Sequence, residues 1–200
     1  MASVTPSDKL DRAIMQLLMA HGMIEDSKFK VMVEIVAEDL QVDERNIINN
    51  ITLSERFKNI NINIRPLSLE IKSVVTRENE TAEWQYFHGI ANTDEDLIST
   101  NSGSKFDQTQ IEIFAEVLGV LLEKTYLSTG DVQDLKPSKW SNSECDNFLA
   151  TLERLGWLRR NNRSYWEIGF KSHLELRPLL ENLANGDDNI VKQFPQLIIY

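Results

Sequence analysis

The stretch over residues 141–168 constrains the fold most, because an amphipathic helix there runs directly into a short hairpin. Ser141 and Glu144 have the spacing of a capping box, which predicts that the helix begins at Ser141. Gly156 supplies the left-handed residue that commonly ends a helix. The apolar residues between these points recur at helical spacing and predict one buried face: Cys145, Phe148, Leu149, Leu152 and Leu155.

Two short segments follow this helix and flank Asn161, Asn162 and Arg163. Asparagine tolerates the positive φ angle that tight turns require, so we expect a hairpin whose turn is made by the two asparagines. Ahead of the capped helix, residues 107–125 predict a long helix and residues 132–135 predict a short one. Three helices and a hairpin form a winged helix, which is the fold that we predict for this part of the chain.

The first half of the chain repeats this plan more loosely. Apolar periodicity predicts three helices at residues 7–22, 27–40 and 43–59. The alternation in residues 67–72 and the aromatic residues in 83–91 predict a second hairpin. The predicted fold class is therefore α+β: tandem winged-helix domains that are mostly helical, each with a small antiparallel hairpin as its wing.

The domain limits follow from changes in composition. Residues 92–105 are rich in Asp, Ser, Thr, Asn and Gly, which is typical of a linker. We therefore place the first winged-helix domain at residues 1–91 and the second at residues 106–186. Gly186 interrupts the last helical pattern, so residues 187–200 are predicted to be a C-terminal tail.

The chain is acidic, with a formal net charge of −10. An acidic protein repels phosphate at long range, which disfavours non-specific DNA binding. A basic segment nevertheless lies at the predicted second wing, because residues 154–163 contain no acid. The candidate nucleic-acid contacts are Lys136, Lys139, Arg159, Arg160 and Arg163. A solvated charged surface is the alternative, since Glu144, Asp146 and Glu153 on the adjacent helix would have to face away from a duplex.

The sequence carries no pattern typical of catalysis, metal binding or membrane insertion. Its one cysteine, Cys145, and its histidines, His21, His88 and His173, are scattered and lack the spacing of a zinc site. No apolar run approaches the length of a membrane span, and no secretory signal is recognisable. We therefore expect no catalytic residue, metal site, cofactor or membrane partner, and a reducing compartment such as the cytosol or nucleus.

Three apolar residues are candidates for a partner interface. Met15 and Met19 lie off the buried stripe of the first helix, and Phe87 lies on the strand face opposite its aromatic neighbours. Ordinary core packing is the alternative, because methionine and aromatic residues fill cores as well as interfaces. His88, on the other face of that strand, is expected to be a packing or interface residue rather than a base.

Five short motifs follow one another at residues 17–23, 61–63, 69–72, 84–92 and 155–158. In this order they resemble the family of the first non-SMC element subunit of the SMC five-six complex. The resemblance implies tandem winged-helix domains that pair with a MAGE-like tandem winged-helix subunit and with a kleisin subunit. It also implies nuclear localisation, a role in DNA repair and recombination, and association with duplex DNA within the complex.

The same family ends in a RING-type zinc domain that is associated with ubiquitin ligase activity. A RING needs eight Cys or His ligands for two zinc ions, and this sequence has one cysteine and three histidines. We therefore interpret the chain as truncated before that domain, with zinc and E3 ligase activity expected of the full-length protein alone.

Two functional hypotheses remain. The first is a scaffold within a chromosome-maintenance complex that binds the MAGE-like and kleisin subunits. The alternative is a winged-helix DNA-binding regulator that acts through the arginine-rich second wing.

Overall fold

The computed structural model describes residues 6–42, 50–77, 82–93 and 106–200. In these ranges no helix combines the length and the apolar character that crossing a membrane would take.

The chain divides into two units. The first comprises Met1–Thr93 together with Gln196–Tyr200, and the second comprises Asp94–Pro195. Most of the predicted linker, residues 92–105, lies outside the described residues. The domain limits inferred from the sequence therefore stay predictions.

The first unit combines helices with a sheet, and the predicted hairpin and first two helices are confirmed. The third helix ends at Ile64 rather than at residue 59, and its predicted start at residue 43 lies outside the described residues. A short 3-10 turn, Arg65–Leu67, joins that helix to the sheet. The elements are α1 (Pro6–His21), β1 (Met23–Glu25), α2 (Asp26–Asp39), α3 (Asn50–Ile64), β2 (Leu69–Thr76), β3 (Gln85–Asn92) and β6 (Gln196–Ile199).

The sheet of the first unit has the strand order β1-β3-β2-β6, and each pairing is antiparallel. In its register Ile71 lies opposite Ile90, and Lys72 lies opposite Ile199. The end of the chain, which was predicted to be a tail, thus contributes a strand to this sheet. A local pattern cannot indicate this pairing, because β2 and β6 are more than a hundred residues apart in sequence.

The core of the first unit is built on the predicted stripe of α1. Leu10, Ile14 and Leu18 have no exposed surface and belong to one apolar cluster with Phe29 and Phe57. The helix ends as predicted, because Gly22 adopts a φ of +71° that an L side chain rarely adopts.

The second unit contains the predicted helices and hairpin. The helix α6 begins after Ser141, whose side chain and that of Glu144 form the expected capping box. The helix α5 begins at Thr129 rather than at residue 132, because Ser128 and Asp131 form a second capping box. The elements are α4 (Gln108–Lys124), α5 (Thr129–Leu135), α6 (Asn142–Arg154), β4 (Leu158–Arg160), β5 (Trp166–Ile168), α7 (Phe170–Glu175), α8 (Arg177–Leu183) and α9 (Asp188–Val191).

Trp166 is the centre of the second core. It has no exposed surface, and its indole N–H donates to the Thr129 hydroxyl over 3.1 Å. Leu118 and Leu149 lie in the same apolar cluster, and Cys145 is buried there as predicted. Satisfying the indole donor allows this large side chain to be buried without an unpaired polar atom.

The turn of the second wing differs from the prediction. The positive φ of +62° belongs to Ser164, not to Asn161 or Asn162. The Asn161 side-chain oxygen accepts from the backbone N–H groups of Arg163 and Tyr165 at 2.9 and 3.1 Å. Asn161 therefore closes the turn as a hydrogen-bond acceptor, and the left-handed position falls three residues later.

Candidate functional site

The arginines on strand β4 of the second wing already have acidic partners. Arg159 Nη2 lies 2.8 Å from Glu167 Oε2 on the facing strand, and Arg160 Nε lies 3.6 Å from Glu153 Oε2 at the end of α6. Both side chains are nearly half exposed, so solvent screens these pairs. The positive charge that the sequence shows on this strand is thus largely balanced within the unit.

Each of these arginines also stacks on an aromatic ring. The Arg159 guanidinium lies 4.6 Å from the ring centre of Phe170, and the Arg160 guanidinium lies 4.3 Å from that of Trp166. Stacking and ion pairing hold both side chains against their own unit. A phosphate would therefore have to compete with internal contacts for either guanidinium.

The other three candidate nucleic-acid contacts have fewer interactions within the protein. Lys136 Nζ donates to the Gln133 carbonyl oxygen at 3.2 Å, and Lys139 Nζ donates to the Thr109 hydroxyl at 3.1 Å. Arg163 is exposed at the tip of the wing. Within the described ranges, none of these three cations forms an ion pair.

The three candidate interface residues differ in exposure. Met19 is 63% exposed on α1, whereas Met15 is half-buried against the core of the first unit. Phe87 is also half-buried, and its backbone lies in register with Glu25 and Val74. Met19 is therefore the one of the three that already presents an apolar side chain to solvent.

Sequence reasoning missed most of the exposed apolar surface of the first unit. Trp84 and Tyr86 are 50% and 38% exposed. Five further large apolar side chains of this unit's helices, turn and edge strand are more than half exposed: Val31, Ile35, Ile62, Leu67 and Ile199. Exposed Val31 and Ile35 lie one helical turn apart, which is the signal that could have identified this face of α2.

His88 joins a buried chain of hydrogen bonds rather than a surface. Its Nε2 lies 2.9 Å from Asp26 Oδ1, its Nδ1 lies 2.6 Å from Ser73 Oγ, and that hydroxyl lies 2.8 Å from the Tyr200 hydroxyl. We assign the Nε2–H tautomer, in which His88 donates to Asp26 and accepts from Ser73. This hydrogen bond holds the pKa of Asp26 below its ordinary value; burial opposes the shift and Lys30 adds to it.

Asp26, His88 and Ser73 are linked by hydrogen bonds in the carboxylate–imidazole–hydroxyl arrangement of a hydrolase triad. In this protein the arrangement is a structural network. Ser73 has no exposed surface, so its hydroxyl cannot reach a substrate. Its oxygen is also bonded to Tyr200, which ties the end of the chain to β2. The prediction that His88 is not a base agrees with this geometry, and its ring packs on Phe29 and Phe57.

Metal-ligating side chains do not gather in the part of the chain that the structure describes. No group of three or more His, Cys, Asp or Glu residues there could hold an ion. Burial raises the pKa of the Cys145 thiol, which keeps it protonated and unreactive. His173 is buried, and desolvation, with Arg177 and Arg159 nearby, lowers its pKa to about 3.

The two units, each with helices and a small antiparallel sheet, agree with the α+β class of tandem winged-helix proteins. A family model described as "Nse1 non-SMC component of SMC5-6 complex" matches residues 11–139. The chain belongs to this family, and the resemblance inferred from its motifs is confirmed.

A solved structure supports the fold. A chain of the "Nse1-Nse3-Nse4 complex" matches this one with a TM-score of 0.73 and 19% sequence identity. The match covers 92% of this chain and 77% of that chain. At this identity the likeness concerns the fold, and it confirms the predicted α+β class. No curated protein matches the chain in sequence.

Proposed function

We propose that this protein is a scaffold subunit of an SMC5-6 complex that binds a MAGE-like Nse3 subunit and a kleisin Nse4 subunit. The family match carries the proposal, since it spans most of the chain. The similar solved chain belongs to a complex of Nse1 with Nse3 and Nse4, which supports these two partners. A nuclear location and a role in DNA repair and recombination belong to the same proposal.

The exposed apolar side chains of the first unit support a binding role. Methionine and aromatic residues are enriched where proteins associate, and Met19 and Trp84 are at least half exposed. We propose Met15, Met19 and Phe87 as partner-interface residues, of which Met19 is the exposed one and the other two are half-buried. We also keep the domain limits, 1–91 and 106–186 around a linker at 92–105, as part of the proposal.

Calorimetric titration with the Nse3 subunit tests the scaffold function. We expect one-to-one binding with a negative heat-capacity change, because apolar surface is removed from water. Met19→Glu should weaken binding about tenfold, since it places a charge in an apolar contact. Tyr126→Glu is the matched control, because Tyr126 is exposed in the second unit. Absence of heat from a folded chain would contradict the proposal.

Ubiquitin transfer is a separate proposal that concerns the full-length family protein. Its zinc would be held by the family's RING domain, since the described part of this chain contains no group of three or more metal-ligating side chains. Zinc content and ubiquitin-transfer assays on the full-length protein test this directly.

Direct DNA binding is the second candidate function. The lack of an acid in residues 154–163 favours it, together with the absence of ion pairs at Lys136, Lys139 and Arg163 within the described ranges. Duplex affinity should then fall steeply with salt, and Arg163→Gln should reduce the salt dependence. Salt-independent or undetectable duplex binding would contradict it.

A further inference from the structure

A cavity of about 290 Å³ opens on the first unit beside β1 and the beginning of β3. Two aromatic rings, those of Trp84 and Tyr86, line it, and so do the carboxylates of Glu25, Asp26 and Glu83. The described residues that line it include no lysine and no arginine. Aromatic walls and carboxylates together form a chemical environment that favours a cation over an anion or a neutral group.

The two aromatic side chains that line the cavity are exposed to solvent, although burying an aromatic ring is normally favourable. Trp84 directly precedes β3 and Tyr86 is its second residue, and both side chains line the cavity while 50% and 38% exposed. The Arg77 guanidinium lies 4.5 Å from the ring centre of Trp84, which shows that this ring already holds a cation. Arg77 does not line the cavity, so Trp84 also presents surface to the cavity away from that guanidinium.

The carboxylates that line the cavity differ in whether other groups of the protein already balance their charge. The carboxylate of Asp26 already has partners on both oxygens, because one accepts from Lys30 Nζ at 2.7 Å and the other from His88 Nε2 at 2.9 Å. Glu25 accepts one hydrogen bond, from the Ser27 hydroxyl at 3.1 Å. Across the described part of the chain, neither Glu25 nor Glu83 has an ion-pair partner. Two carboxylates that form no ion pair among the described residues therefore line the cavity together with the rings.

We infer that this cavity binds the alkylammonium group of a lysine side chain, with or without N-methyl groups, presented by a partner protein. The rings contact the apolar methylene or methyl groups and the cation, while Glu25 and Glu83 supply the opposite charge. The net charge of −10 attracts basic segments of a partner at long range. This site is independent of the proposed scaffold function, and neither depends on the other.

The test uses short capped peptides with one central lysine, trimethyllysine or the neutral analogue in which carbon replaces the quaternary nitrogen. Binding is followed by the NMR shift of the Trp84 indole N–H. We expect both cationic peptides to shift this signal and the neutral analogue to bind about tenfold more weakly. Equal binding by the neutral analogue would overturn the inference, since the cavity would then recognise shape alone.

Variants locate the site and control for folding. Trp84→Ala should weaken binding of the trimethyllysine peptide about tenfold, as followed by the shifts of backbone amides in β3. Trp84→Phe keeps a ring and should retain part of the affinity, which separates loss of the site from loss of the fold. Tyr126→Ala, at an aromatic residue exposed in the other unit, should change nothing.

Separate experiments test the contribution of the Glu83 carboxylate and whether the cation comes from a protein side chain or a free molecule. Glu83→Gln should weaken the cationic peptides and reduce the salt dependence of their binding. Choline is the free form of the same chemistry, and it should bind more weakly than the trimethyllysine peptide. Tighter binding by choline would overturn the assignment to a protein side chain, and no shift with any cation would overturn the site itself.

Discussion

Gly169 packs so closely against Trp157 that a Cβ atom at Gly169 would stand 2.7 Å from the Trp157 carbonyl carbon and would overlap the Gly156 carbonyl oxygen. The Gly169 N–H also donates to the Trp157 carbonyl oxygen at 2.9 Å. This contact fixes the end of the second wing to the chain segment that follows α6. A side chain at position 169 is therefore excluded by backbone atoms that cannot move independently.

Gly169→Ala should destabilise the protein by about 1–3 kcal/mol, the usual cost of overpacking. The free energy of unfolding in urea measures the effect. Gly119→Ala in α4 is the matched control, because a Cβ there meets no atom within 4 Å outside the neighbouring backbone of its own helix. That control should stabilise the protein by about 0.5–1 kcal/mol, since alanine is the better helix former. Equal stability of the two variants would contradict the close contact.

His173 should make stability depend on pH between pH 7 and pH 5. Its folded-state pKa of about 3 lies below the ordinary value of 6.5, so the unfolded chain binds the proton more readily. Stability is then complete above pH 6.5 and decreases as the pH falls towards 3. At pH 5 the loss is about 2 kcal/mol.

Urea unfolding at pH 5 and pH 7 measures this loss, and His173→Leu should remove most of it. His21→Gln is the control, because His21 is exposed at the end of α1. An unchanged pH dependence in His173→Leu would show that another group titrates in this window. The acids with lowered pKa, Asp26, Asp131 and Glu144, lose their contribution at lower pH and do not interfere.

Tyr200→Phe should cost about 1 kcal/mol, because it removes the hydroxyl that bonds Ser73 and leaves the ring in place. The ring contact with Phe57, at 4.9 Å between centres, should persist. Thermal or urea unfolding measures the change. Tyr126→Phe, at a half-exposed position, should be neutral, and an equal loss in both variants would count against the buried network.

Glu167→Gln tests how far the second wing is neutralised. Removing the carboxylate 2.8 Å from Arg159 should change stability by less than about 1 kcal/mol, since the pair is partly exposed and solvent screens it. It should increase duplex affinity if the wing contacts phosphate, because one guanidinium is released. Fluorescence anisotropy at two salt concentrations measures this, and unchanged affinity would argue that Arg159 stays on Phe170.

Local features were predictable, and distant pairings were not. The helix at Ser141 follows from a capping box three residues wide, so the sequence alone places it. The hydrogen bond between Ser73 and Tyr200 joins residues 127 positions apart, and no local pattern indicates it. The same limit explains why β6 was predicted to be a tail.

The charged and apolar surfaces likewise depend on pairings that a local sequence pattern does not show. Residues 154–163 contain no acid, yet the hairpin register places Glu167 opposite Arg159, and Glu153 lies one residue outside that window. Pairing across the hairpin therefore balances part of the charge of the basic segment. The exposure of Trp84 depends on where β3 begins, which composition does not specify.

The proposed scaffold function requires this chain to bind the Nse3 and Nse4 subunits at the same time. Light scattering after size-exclusion chromatography of the chain mixed with the Nse3 and Nse4 subunits tests it most directly. We expect one species with the summed mass of one copy of each protein. A folded chain that elutes alone at its own 23.0 kDa, apart from an Nse3–Nse4 species, would contradict it.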